Sequence, residues 1–110
     1  IKGSHVLLAV GRVPNTDTLQ LENTSIKFDE KGYIAVDDYC KTKVDGIFAI
    51  GDCNGKGGFT HTSYNDFQIV EDYIIGSKER RISDRITTYG LFIDPPLTVL
   101  VFHGDQRSPR

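Results

Sequence analysis

Methionine and tryptophan are absent from this 110-residue chain, cysteine appears twice, proline four times, and charge nearly cancels, leaving a formal net of -2. No apolar run approaches the ~18 residues that span a bilayer, which excludes a membrane helix. The small net charge gives no basis for nucleic-acid binding. Cys40 and Cys53 stand thirteen positions apart, a spacing that suits neither a close redox pair nor paired zinc ligands, so no metal site and no disulfide scaffold are expected. No secretory leader opens the chain, and the cytoplasm is the expected compartment. A chain that begins at Ile1 and holds no methionine reads as a processed product or a segment of something longer.

What is present is enough for one small domain: 38% of residues are hydrophobic. Charge is uneven, with residues 1–77 carrying 7 basic and 11 acidic side chains and residues 78–110 carrying 6 and 4. Two differently solvated surfaces account for that.

His5-Val6-Leu7-Leu8-Ala9-Val10, ended by Gly11, has the continuous apolar character of a strand buried on both faces. Gly11-Arg12-Val13-Pro14-Asn15 is turn chemistry, and Thr18 to Leu21 suits a short helical turn. Ser25–Phe28 and Tyr33–Val36 alternate polar and apolar around Asp29-Glu30-Lys31-Gly32, which predicts a hairpin. A second buried strand is expected over Gly46–Ile50. Beyond it, Gly51-Asp52 leads into a loop with Gly55, Gly57 and Gly58. Phe67, Ile69, Val70, Tyr73 and Ile74 then recur at helical steps, predicting one amphipathic helix over 60–75 with Gly76 as its stop. Lys78–Arg85 is a polar connector before one more strand, Tyr89–Ile93.

Several residues here suit chemistry, each with a plainer alternative. A carboxylate at Asp52, at the carboxyl edge of a sheet, can accept hydrogen bonds from sugar-like hydroxyls, or it can cap its own loop. The glycine loop lets backbone amides approach a ligand and opens a helix whose N-terminus favours an anion, or it is simply a flexible connection. It is neither a Walker loop nor G-x-G-x-x-G. His61 can face a ligand or be an ordinary surface histidine. Cys53 can be an activated thiolate or a small half-buried side chain. Asn23-Thr24-Ser25 fits the glycosylation pattern as a chance match.

Two segments together resemble paired signatures of the pyridine nucleotide-disulfide oxidoreductases, the group of dihydrolipoamide dehydrogenase and mercuric reductase. Val6 to Asn15 resembles the A-x-G-R-x-P-N stretch where the family's chain leaves the NAD(P) domain for the FAD domain. Thr42 to Asp52 resembles the second FAD fingerprint, with its opening threonine and its closing Gly-Asp. Phe92-Ile93-Asp94-Pro95-Pro96 and the Asn-Gly after Gly51-Asp52 resemble the reactive-chlorine-resistance branch.

The resemblance implies an α/β fold, a partial Rossmann-like FAD/NAD(P)-binding domain with a β-hairpin layer and the first strand of a dimerisation domain. On this basis residues 1–80 belong to the dinucleotide-binding domain, 81–98 begin the dimerisation domain, and 99–110 are an unrelated or frameshifted tail. The implied cofactors are FAD and NAD(P)H, and the implied partner is a second copy in a homodimer. The resemblance puts Gly51 and Asp52 at the flavin's ribityl hydroxyls, and Phe59, Thr60 and His61 at its pyrimidine edge. It puts Gly11 and Arg12 beside the nicotinamide nucleotide. The family's C-x-x-x-x-C pair, first FAD fingerprint, NAD(P) glycine motif and interface histidine and glutamate have no counterpart in these residues, so no catalytic residue is assigned. The expectation is a fragment of an FAD-dependent oxidoreductase, inactive alone, or else a non-catalytic nucleotide-binding or interaction module.

Overall fold

The computed structural model describes residues 1–101. Among these residues one α-helix, α1, runs Thr60–Ile75, and one two-stranded sheet pairs β1 (Thr87–Leu91) with β2 (Leu97–Val101) in antiparallel register, Tyr89 opposite Val99. Short 3-10 turns occupy Asp17–Leu19, Leu21–Asn23, Gly51–Asn54 and Ile82–Asp84.

The core lies between the hairpin and the turn below it. Ile26, Ile34 and Ala49 are buried together, with Leu21, Val36, Val44 and Cys53 packed against them. Each buried isoleucine contributes about 1.5–3 kcal/mol of transfer free energy. The hairpin forms where the alternation predicts it. Phe28 bridges Ile34, the Asp29 amide donates to Tyr33 O (2.8 Å), and the Ala35 amide donates to Lys27 O (2.9 Å). Asp29 closes its loop by accepting from the Lys31 and Tyr33 amides at 2.8 and 2.9 Å. A backbone bond from the Ile34 amide to Cys53 O (2.8 Å) ties the hairpin to the Gly51–Asn54 turn.

The helix has the predicted bounds. Its start is fixed by Thr62, whose hydroxyl accepts from the Phe59 amide at 3.1 Å, and its end by Gly76 in the left-handed region (φ 95°). Ile69 is fully buried on its inner face.

Three expectations change. The run His5–Val10 pairs with no strand among the described residues, and Val6 and Val10 are 87% and 94% exposed. A strand buried on both faces takes its ladder bonds and its cover from neighbours, and none of the described segments supplies them. Gly46–Ile50 makes one antiparallel bridge, Phe48 to Lys41, around a turn held by Thr42, whose hydroxyl donates to Ile47 O at 3.0 Å. Ala49 faces the core there, while Ile47 and Ile50 remain partly exposed. The strand expected over Tyr89–Ile93 begins two residues earlier and is not solitary. Its partner β2 contains Val99–Val101, so the expected boundary after Thr98 falls inside a strand. Residues 102–110 of the expected tail lie outside the described residues.

Candidate cofactor-binding site

The Gly51–Asn54 turn presents Asp52 to solvent because its two flanks are pinned from below. Gly51 takes φ 76°, and a Cβ there would stand 3.0 Å from Ser63 Oγ, so the turn sits hard against the first turn of α1. Asp66, on α1 and 1% exposed, accepts from the Gly51 amide at 2.8 Å and from Asn54 Nδ2 at 2.9 Å through the same oxygen, Oδ2. Asn54 Nδ2 also donates to Ala49 O at 3.0 Å. The other Asp66 oxygen pairs with Arg85, which donates in addition to Asn65 Oδ1 (2.7 Å) and Lys56 O (3.4 Å).

Above this turn lies an open cavity of about 550 Å³ bounded by Arg12, Asn15, Tyr33, Asp52, Gly57 and Gly58. Arg12 Nη1 lies 3.7 Å from Asp52 Oδ2, and both side chains are largely exposed. The glycine loop is compact. A Cβ on Gly57 would come 2.9 Å from the Thr62 side chain, whereas one on Gly58 would meet only Arg12 Nη1, at 3.9 Å, so backbone faces the cavity there.

Arg12 and Asp52 thus meet in one cavity, and Gly51 is buried outside its lining. Gly11, at φ 135° with no side chain around it, lies next to the cavity in sequence and outside its lining. Phe59, Thr60 and His61 are exposed at the start of α1. The amides of Thr60 and His61 find no acceptor among the described residues, which leaves the helix N-terminus free to face a polar ligand edge. Phe59 stacks between His61 (5.3 Å) and Tyr89 of β1 (6.0 Å). His61 borders a second cavity, with Arg80, Arg81 and Arg85.

The cysteines are unsuited to nucleophilic chemistry. Burial, reinforced by the nearby Asp66 carboxylate, pushes the Cys40 thiol up to about 12, and burial also raises Cys53. No group of metal-ligating side chains forms among the described residues. Sequence reading overlooked Asp66, Asn54, Arg85 and Tyr33. A carboxylate in register with Thr62, Ile69 and Tyr73 on the inner stripe of α1 was the available signal, since a buried charge demands a partner.

A sequence profile of the pyridine nucleotide-disulphide oxidoreductases matches residues 1–67, and the chain belongs to that family. It is 40% identical over 94 residues (84% of this chain, 21% of the relative) to the "Probable pyridine nucleotide-disulfide oxidoreductase RclA" of Escherichia coli K12. It is 37% identical over 106 residues to the dihydrolipoyl dehydrogenase of Corynebacterium glutamicum (96% of this chain, 23% of the relative). That match therefore extends past Thr98. Among solved structures, the HOCl-induced flavoprotein disulfide reductase RclA from Escherichia coli superposes with a TM-score of 0.79 at 37% identity, covering 89% of this chain and 23% of that one. The chain spans about a fifth of the length of the curated relatives it matches. No described helix is long and apolar enough to cross a membrane.

Proposed function

We propose that these residues form the ribityl-facing part of the flavin site in an FAD-dependent NAD(P)H oxidoreductase, with Asp52 accepting hydrogen bonds from the ribityl hydroxyls. The observation that carries this reading is the exposed Asp52 carboxylate at the floor of a glycine-walled cavity, held on a turn whose backbone is fixed from beneath. A carboxylate so placed offers several lone pairs to a polyol without moving. Gly57 and Gly58 give the wall the close backbone approach that a flat ring or a sugar chain needs.

At the start of α1, Phe59, Thr60 and His61 face the pyrimidine edge of the flavin, where free amides and the helix dipole stabilise negative charge. Gly11 and Arg12 lie toward the nicotinamide nucleotide. FAD, when bound, supplies the two-electron chemistry that links NAD(P)H to a disulfide or metal-ion acceptor. Cys40 is buried and Cys53 half-buried, and burial raises both thiols, so neither is assigned to the acceptor step. The β1–β2 ribbon, with Leu91, Leu97 and Leu100 partly exposed, supports a role in homodimer contact. A cytoplasmic location is part of the same reading.

The test is FAD affinity of the full-length protein by equilibrium dialysis, with and without Asp52→Asn. A charge-assisted hydrogen bond contributes about 1.5–3 kcal/mol, so the variant should bind at least about tenfold more weakly. Unchanged affinity would remove Asp52 from the site.

A further inference from the structure

We infer that Asp66 and Arg85 are positioning residues for the flavin site, acting through the turn that carries Asp52; the inference rests on the proposed role of Asp52. Asp66 touches no part of the cavity. Its Oδ2 instead holds the residue immediately before Asp52, through the Gly51 amide at 2.8 Å, and the residue two places after it, through Asn54 Nδ2 at 2.9 Å. One oxygen on a rigid helix therefore fixes both flanks of the turn.

A turn with a left-handed residue at Gly51 and no regular ladder on either side has other conformations open to it. The two bonds to Asp66 select the one that lifts Asp52 toward Arg12 and the cavity. Asn54 strengthens the selection because its amide nitrogen donates at once to Asp66 and to Ala49 O in the core.

The carboxylate can serve this way only if its second oxygen is satisfied, because an unpartnered buried charge would favour opening the site. Arg85 satisfies it, with both side chains nearly fully buried. Its guanidinium also reaches Asn65 Oδ1 on α1 and Lys56 O in the glycine loop, so the same group braces the cavity wall. Arg85 lies two residues before β1, which connects the β-ribbon directly to the turn that presents Asp52.

The test uses the full-length protein and compares Asp52→Asn, Asp66→Asn and the double variant by FAD dissociation constant and by the shape of the bound flavin's visible absorption band. Asp66→Asn keeps one oxygen for Gly51 and Asn54 but turns N–H groups toward Arg85, donor against donor. The expected result is about tenfold weaker FAD binding with a shifted flavin band, and no further loss when Asp52→Asn is added, because both act through one group. Asn54→Ala removes one flank without disturbing the ion pair and should weaken binding several-fold; it stands in if Asp66→Asn does not fold. Losses that multiply in the double variant would overturn the inference by placing Asp66's effect elsewhere. If Asp52→Asn weakens FAD binding while Asp66→Asn and Asn54→Ala stay within about twofold of the parent protein, the positioning role fails and the reading of Asp52 stands. If Asp52→Asn itself has no effect, the reading of Asp52 fails and the positioning role with it.

Discussion

The Tyr33 ring lies directly against the backbone of Gly55: a Cβ on Gly55 would stand 2.8 Å from Tyr33 Cγ, at a φ of 69°. Both residues line the cavity, so this contact sets its shape as well as its stability. Gly55→Ala meets two penalties, backbone strain and steric overlap, and should destabilise by about 2–4 kcal/mol. Gly46→Ala is the control. Gly46 has a similar φ of 77° with open space around it, so it should cost only about 1 kcal/mol. Urea unfolding of the two variants separates the strain from the overlap, and equal losses would show that Tyr33 yields.

Arg12 and Asp52 form an ion pair across open solvent at 3.7 Å, with side chains 79% and 61% exposed. Exposed pairs contribute about 0–1 kcal/mol and are screened by salt. Arg12→Ala should therefore shift unfolding stability by less than about 0.5 kcal/mol, while nucleotide affinity falls and loses part of its dependence on ionic strength. A large stability loss would make Arg12 a structural residue and not a ligand contact.

Cys40 offers a pH test whose sign is fixed by its burial. Its thiol is raised from an ordinary value of 9.0 to about 12, so the folded state keeps a proton that the unfolded state releases. The stability it contributes is intact below pH 9 and is lost as pH rises toward about 12, at up to about 1.4 kcal/mol per pH unit. Cys40→Ala should flatten that alkaline decline. At neutral pH, native-state labelling with a thiol reagent should leave Cys40 untouched and modify the half-buried Cys53 slowly. Rapid labelling of Cys40 would show that its cover opens readily.

How much of this was legible in the sequence depended on whether a segment's partners were near it in the chain. The hairpin over 25–36 and helix α1 were readable to within a residue or so, because alternation, the Asp29 turn, the 3.6-residue period and Gly76 are local signals. The run Val6–Val10 reads as a strand covered on both faces, and the described residues supply no cover for it, because apolar character reports a need for neighbours without saying who provides them. Strand β2 lies partly past Thr98, where the family resemblance stops, and its signal is the β-branched content of Leu97–Val101 itself. Asp52 and Arg12 are singled out by the motifs, and both border one cavity. Asp66 went unremarked because a lone aspartate in a helix looks solvated until Gly51, Asn54 and Arg85 converge on it from three other segments.

The end of α1 makes a final prediction about local order. Asp72, on the last turn, accepts from the Glu79 and Arg80 amides at 2.7 and 3.0 Å and from the Ser77 hydroxyl, folding the connector back on the helix just after the Gly76 stop. These bonds, that of Ser77 foremost, hold the Asp72 carboxyl below its ordinary value of 3.8. A lowered folded-state pKa means that the contribution is present above the ordinary carboxylate range and is lost as pH falls through the folded value. Protection factors at Glu79 and Arg80, exchange referred to an unstructured amide at the same pH, should therefore be higher at neutral pH and fall as pH drops through the folded value, before those of the helix itself. Asp72→Ala should abolish that protection at every pH. Gly76→Ala, by contrast, puts a side chain at φ 95° and should cost about 1 kcal/mol at all pH values. If Asp72→Ala leaves the two amides protected, the connector is held by its later contacts, the Ile82 amide on Asp38 O and Ser83 on the Asp38 carboxylate, and not by the helix end.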